Sequence, residues 1–200
     1  RERRLSTHAL SALVTTIVGC AIAGSVLLRE PRRGAHIMFA TFTFNVPLYY
    51  LFVFLSVGLE SEFFNWGSML IAVPLPATAQ RFFQAFLGGD AGPPPLTRST
   101  VAGAVVFYLA LFFSRFLEPI HLKPWFHFAF AAYVFTGLYL SVYYLYRHYR
   151  DTPSRVDKIR LRYLLVGGLA TVAATMIESI VEPFVLGTIL VIVYLYFLSQ

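Results

Sequence analysis

Charge is scarce in this chain, and each residue type in short supply removes a class of protein. Charged residues make up 13% of the 200 residues, about half of what a soluble globular domain carries. Lysine occurs only as Lys123 and Lys158, both between apolar stretches. A retinal protein needs a buried lysine for its Schiff base, so that class is excluded. Cysteine occurs once, as Cys20; no internal disulfide can form, and a small packed residue is the simplest reading. The sequence holds no phosphate-binding glycine loop, no nucleophile elbow and no metal-ligand motif. Haem ligation needs facing histidines, and of the five only His8 and His127 could share a span. No catalytic machinery is left, and neither a cofactor nor a metal is expected.

What the chain does have is apolar length. Hydrophobic residues reach 58%, with 20 Phe and 12 Tyr. Spanning the hydrocarbon core of a bilayer takes about 20 apolar residues at about 1.5 Å rise each. Seven stretches of about that size follow one another: 5–28, 35–59, 63–87, 99–118, 124–147, 161–179 and 184–200. They leave almost nothing for a soluble core. The expected fold class is therefore all-α, a polytopic membrane protein with a bundle of seven transmembrane helices forming one domain over 1–200. A cleaved leader is not expected, since basic residues from Arg29 to Arg33 follow the long first span. The sequence begins without Met and stops inside an apolar run, as a piece of something longer does.

The net charge of +6 raises the question of nucleic acid, but its distribution points to a membrane. With the N-terminus outside, the inner loops hold Arg29, Arg32, Arg33, Arg98, Arg147, Arg150, Arg155, Lys158, Arg160 and Arg162. Outer segments hold only Arg1, Arg3, Arg4 and Lys123, and Arg81 and Arg115 fall inside spans. Lys and Arg collect on the cytoplasmic side, so the expected orientation is N-out/C-in, the partner is the lipid bilayer, and no nucleic acid is expected.

Ionisable groups inside membrane spans are costly and therefore functional suspects. Arg115, Glu118, His121, Glu178 and Glu182 are expected near the outer surface. Three readings stay open for them: an interfacial charge network pairing Arg115 with a glutamate, a polar pocket facing outward that senses a ligand or an envelope partner, or a proton pathway. The candidate ligand residues are Arg115, Glu178, Glu182 and His121. In the third span Pro74 and Pro76 interrupt the helix, and residues 77, 80, 81 and 84 share one face by helical spacing. Arg81 and Gln84 are the candidates for signal transfer near the inner side, although Arg81 also lies where it can snorkel. Asn45-Val46-Pro47 is expected to kink the second span. Gly167, Thr171, Ala174 and Thr175 give the sixth span a small-residue face for close helix packing.

Taken in order, these features resemble the N-terminal seven-transmembrane sensor region of bacterial histidine kinases. The resemblance is carried by Leu28-Arg29-Glu30-Pro31-Arg32-Arg33 and an aromatic second span starting at Phe39. It continues through Phe63-Phe64-Asn65-Trp66, Pro74 and the run Phe82 to Gly89. Arg160 to Gly168 and the hairpin at Pro183 and Leu186-Gly187 complete it. The second span departs from the pattern, with Val46-Pro47-Leu48-Tyr49-Tyr50 where a tryptophan is expected. The resemblance implies a signal-input domain in the bacterial inner (cytoplasmic) membrane, part of a two-component system. It also implies a cytoplasmic linker, a dimerising histidine module and an ATP-binding domain after Gln200, hence a homodimer through the parent protein. No catalytic residue of that family falls on this chain. Two alternatives stand beside it: an accessory subunit of a larger membrane complex, and a small transporter, against which the lack of matched helix breaks counts.

Overall fold

The structure, a computed structural model, describes residues 7–29, 34–87, 95–116, 120–178 and 186–199. It is all-helical, with no strand among the described residues. The helices are α1 (Thr7–Arg29), α2 (Gly34–Leu59), α3 (Glu62–Ala72), α4 (Leu75–Phe86), α5 (Pro95–Phe116), α6 (Pro124–Asp151), α7 (Arg155–Glu178) and α8 (Leu186–Ser199), with a 3₁₀ turn at Ile120–Leu122. Five of these, α1, α2, α5, α6 and α7, are long and apolar enough to cross a membrane. The third and seventh of the expected spans take other forms. The stretch 63–87 divides into α3 and α4, and 184–200 yields the 14-residue apolar helix α8. The basic stop at 30–33, the connector 88–94, Glu118 and residues 179–185, with Glu182, Pro183 and the expected hairpin, lie outside the described residues.

The division at Pro74 has a direct cause. Pro74 and Pro76 lack amide hydrogens, so two hydrogen bonds of a continuous helix cannot form. Val73 and Pro74 nevertheless keep right-handed helical backbone angles, and the Thr78 N–H donates to the Pro74 carbonyl at 2.9 Å. The chain bends there without reversing. At the end of α2, Glu60 adopts a positive φ of 51°. The Ser61 N–H donates to the Ser56 carbonyl at 3.2 Å, a Schellman-type closure that turns the chain into α3.

Six helices, α1, α2, α4, α6, α7 and α8, close a ring in that order, with α8 packed back on α1. Small residues set the seams. Gly19 of α1 lies against the Pro47 ring of α2, and Gly137 of α6 lies against Pro76 of α4. Gly167 and Gly168 of α7 lie against Tyr194 of α8. Where helices share one apolar solvent, close backbone approach replaces the hydrophobic drive to associate. Inside the ring, Phe39, Phe42, Phe82 and Phe83 form an aromatic core, with the Phe42 and Phe82 rings stacked at 6.0 Å. α5 stands at the edge, packed on α3, α4 and α6. Its outward side exposes Val105, Val106, Leu109, Phe112, Phe113 and Phe116, a surface that suits lipid and would aggregate in water.

Candidate functional site

The middle of the ring is not filled. A cavity of about 250 Å³ lies between α2, the α3–α4 break, α6, α7 and α8, lined almost wholly by apolar side chains. At one end stand Tyr49 and Tyr50 of α2 and Thr175 of α7. Here the last residue of α7 meets the first turn of α8. The Thr188 N–H donates to Glu178 Oε2 at 2.7 Å, and the Thr188 hydroxyl donates to Glu178 Oε1. The Tyr50 hydroxyl joins the Thr188 side chain, and the Tyr49 ring feels the Glu178 charge. A carboxylate at the end of α7 opposes that helix's dipole but favours the amide-rich start of α8. Gly187 makes the grip possible: a Cβ there would lie 2.6 Å from both Glu178 Oε2 and the Thr175 Cα. Tyr50 precedes the end of α2 by nine residues, so this cluster sits about 13 Å short of that end.

The opposite end of the cavity is formed by Ser141 and Val142 of α6, Gly168 of α7 and Tyr194 of α8. The Tyr194 hydroxyl is buried beside Gly168 and has no hydrogen-bond partner. The other hydroxyls nearby are committed to backbone carbonyls. Ser141 donates to Gly137 at 3.0 Å, Thr171 to Gly167 at 2.7 Å and Thr175 to Thr171 at 2.8 Å.

A second polar cluster joins α3, α5, the 3₁₀ turn and α6. His121, 6% exposed, pairs its Nδ1 with the Ser114 hydroxyl at 3.1 Å. Ser114 and the Trp66 indole N–H both donate to the Leu111 carbonyl, at 2.8 and 3.0 Å. With the Ser114 proton so directed, the His121 Nδ1–H is the donor between them. Burial pushes the His121 imidazole below its usual range, Arg115 and His127 add to that, and Glu62 opposes it. A third cluster is centred on Gln80, which is fully buried. Its amide donates to the Thr100 hydroxyl at 3.0 Å and to the Gly137 carbonyl at 3.3 Å. The Tyr133 hydroxyl adds a link from α6 to the Val73 carbonyl at 3.0 Å.

The residues suspected from sequence thus separate. Arg115 is exposed at the end of α5 and acts on buried His121 through its charge. Glu178 belongs to the α7–α8 seam, which α5 does not share. Glu182 lies outside the described residues. On α4, Arg81 is exposed and Gln84 half-buried, whereas their neighbour Gln80 points into the bundle. Tyr50, Thr188 and Tyr194 were not singled out by sequence; of the three, only Tyr194 packs against small residues that the sequence marks, Gly167 and Gly168. Among the described residues no group of three His, Cys, Asp or Glu is placed to hold a metal ion. No family model matches the chain, and neither a curated protein nor a solved structure matches it.

Proposed function

We propose that this chain is the membrane-embedded signal-input domain of a bacterial sensor histidine kinase. In this reading it crosses the cytoplasmic membrane seven times, N-terminus outside. The bent α3–α4 pair is the third crossing and α8 the last, running inward. The chain carries input and no catalysis; a homodimer forms through the parent protein. The observation that carries the reading is the attachment of α8. Its first turn is held by a single carboxylate, Glu178, beside a cavity that α8 itself helps to line. A group that binds there touches the output helix directly. A ligand biases such a helix only by binding two of its positions unequally, and a partly empty cavity next to a polar latch permits two positions. The basic residues Arg155, Lys158, Arg160 and Arg162 cluster near the start of α7, which fits the inward placement of that end.

The test is peptide sequencing of the parent polypeptide beyond Gln200, with cysteine labelling at position 158 from either side of the membrane. A histidine-bearing helix pair with an ATP-binding domain, and labelling from the cytoplasmic side, are the expected results. A parent without any signalling module would make an accessory subunit of a membrane complex the better reading.

A further inference from the structure

We propose that the start of α7, beside its connection to α6, is a binding site for an anionic phospholipid. The lipid phosphate is held by Arg155, Arg160 and Arg162, and its upper chains lie along an apolar stripe between them. Length places this segment in the headgroup layer. α6 has 28 residues, about 42 Å, against a hydrocarbon core of about 30 Å. Trp125, 62% exposed at the start of α6, anchors that end at one interface. The excess therefore emerges at the other, where three residues connect Asp151 to Arg155.

Two features of α7 coincide in that layer. Val156, Ile159, Tyr163 and Val166 recur at spacings of three and four, so they share one side. All four are exposed, Tyr163 by 74%, while Leu161 on the opposite side is buried. Such a stripe at the bilayer edge suits glycerol and upper acyl carbons better than water. At about 100° per residue, Arg155 and Arg162 flank the stripe on one side and Arg160 on the other; all three are exposed. Neighbouring charges are engaged elsewhere or turned away. Asp151 pairs with Arg150 at 3.9 Å, Lys158 lies 5.4 Å from the centre of the Tyr149 ring, and Asp157 falls on a different side from the stripe. A guanidinium meets a phosphate with two parallel hydrogen bonds. A choline headgroup brings its own cation to the same place, so a headgroup with net negative charge is the one selected. The site needs only a membrane around the helices; it depends neither on the input-domain reading nor on which leaflet the connection faces.

The experiment uses the full chain in phosphatidylcholine bilayers with trace spin-labelled lipid, and electron spin resonance reads the share of label held immobile by the protein. Phosphatidylglycerol label should be preferred over phosphatidylcholine label about threefold at low salt. The preference should vanish in about 1 M salt, where the screening length is about 3 Å. The triple variant Arg155→Gln, Arg160→Gln, Arg162→Gln should abolish it without moving the thermal midpoint. Changing the same three residues to Lys should keep part of it, since the charge stays and the guanidinium fork goes. Arg98→Gln, at an exposed position near the start of α5, should leave it intact. A preference that survives the triple glutamine variant, or one absent from the unsubstituted chain, would overturn the proposal. So would displacement of the labelled lipid by glycerophosphoglycerol, which has the headgroup without the chains and makes no use of the stripe. A parent protein without an output module would remove the input-domain reading and leave these results unchanged.

Discussion

The two halves of the bundle handle their polar groups in opposite ways. Around α3, α5 and the start of α6, the buried hydrogen bonds join neutral groups, and aromatic rings pack between them. Phe107 alone contacts Phe126, Phe130 and Tyr133, with ring centroids 4.8 to 5.9 Å apart. Around α7 and α8, a carboxylate is held at the edge of an open cavity, and a tyrosine hydroxyl is left without a partner. Neutral hydrogen bonds among packed aromatic rings fix one arrangement. A charge beside empty space is expensive to keep and leaves room for a second arrangement. The first half is scaffold by this reasoning, and in the proposed input domain the second would be the part that responds.

The sharpest way to break that contrast is to remove the polar group from each half. In Glu178→Ala the Thr188 N–H and hydroxyl both lose their acceptor, and hydrogen bonds to a charged group are the strong ones. We expect a loss of about 3 kcal/mol, read as reversible unfolding of the purified chain in mixed micelles. In Ser114→Ala only neutral bonds disappear, to His121 and to the Leu111 carbonyl, and about 1 kcal/mol should be lost. Equal losses would mean that the α7–α8 latch is no more stressed than the scaffold.

Glycine substitution sharpens the same comparison. Gly187→Ala places a methyl group 2.6 Å from the Thr175 Cα, a backbone atom that has little room to move. Overpacking of this kind costs about 2 kcal/mol, with α8 detached from Glu178. Gly24 of α1 has nothing within 4 Å of its would-be Cβ, so Gly24→Ala should stabilise by about 0.5 kcal/mol through helix propensity alone. If Gly187→Ala is tolerated as easily as Gly24→Ala in the same unfolding assay, the close seam is wrong.

How much of this was legible beforehand depends on whether a feature is local. Apolar length is local, and it marked α1, α2, α5, α6 and α7. The interruption of the third stretch was local too, because Pro74 and Pro76 act on their own helix. Glu178 stood out because a carboxylate in an apolar run is costly wherever it points. Its partner did not stand out: Thr188 has no distinguishing spacing, and hydropathy is silent about which helices become neighbours. Gln80 and Arg81 differ by one residue, about 100° around the helix, so a shared polar face could not tell the buried member from the exposed one. Tyr194 sits in an aromatic run, Tyr194-Leu195-Tyr196-Phe197, that reads as an interfacial girdle. Only the Gly167-Gly168 pair packed against it turns its hydroxyl into a feature.

Acidity offers a third contrast. His121 is held in its neutral form, first by burial and then by Arg115 and His127, against the pull of Glu62. A group whose folded pKa is lowered contributes stability that is fully present above its ordinary value of about 6.5 and is lost as the pH falls through the lowered one. The thermal midpoint of the chain should therefore drop on acidification from about pH 7.5 to about pH 5.5. His121→Asn should flatten that slope. A slope unchanged in the variant would place its source outside this cluster.

The smallest expected change is the most telling, because a null result is predicted where loss is the rule. Removing a buried hydroxyl normally forfeits a hydrogen bond worth about 1 kcal/mol. Tyr194 has none to lose, and the tyrosine ring keeps its packing against Gly167 and Gly168 when the oxygen is deleted. Tyr194→Phe should leave stability within about 0.5 kcal/mol of the parent chain or raise it slightly. Tyr133 supplies the control from the other half, since its hydroxyl links α6 to the Val73 carbonyl at 3.0 Å. Tyr133→Phe should cost about 1 kcal/mol. If both variants lose the same amount, the Tyr194 hydroxyl has a structural partner after all. If only Tyr133→Phe loses, a polar group has been kept in the bundle around α8 without contributing to its stability.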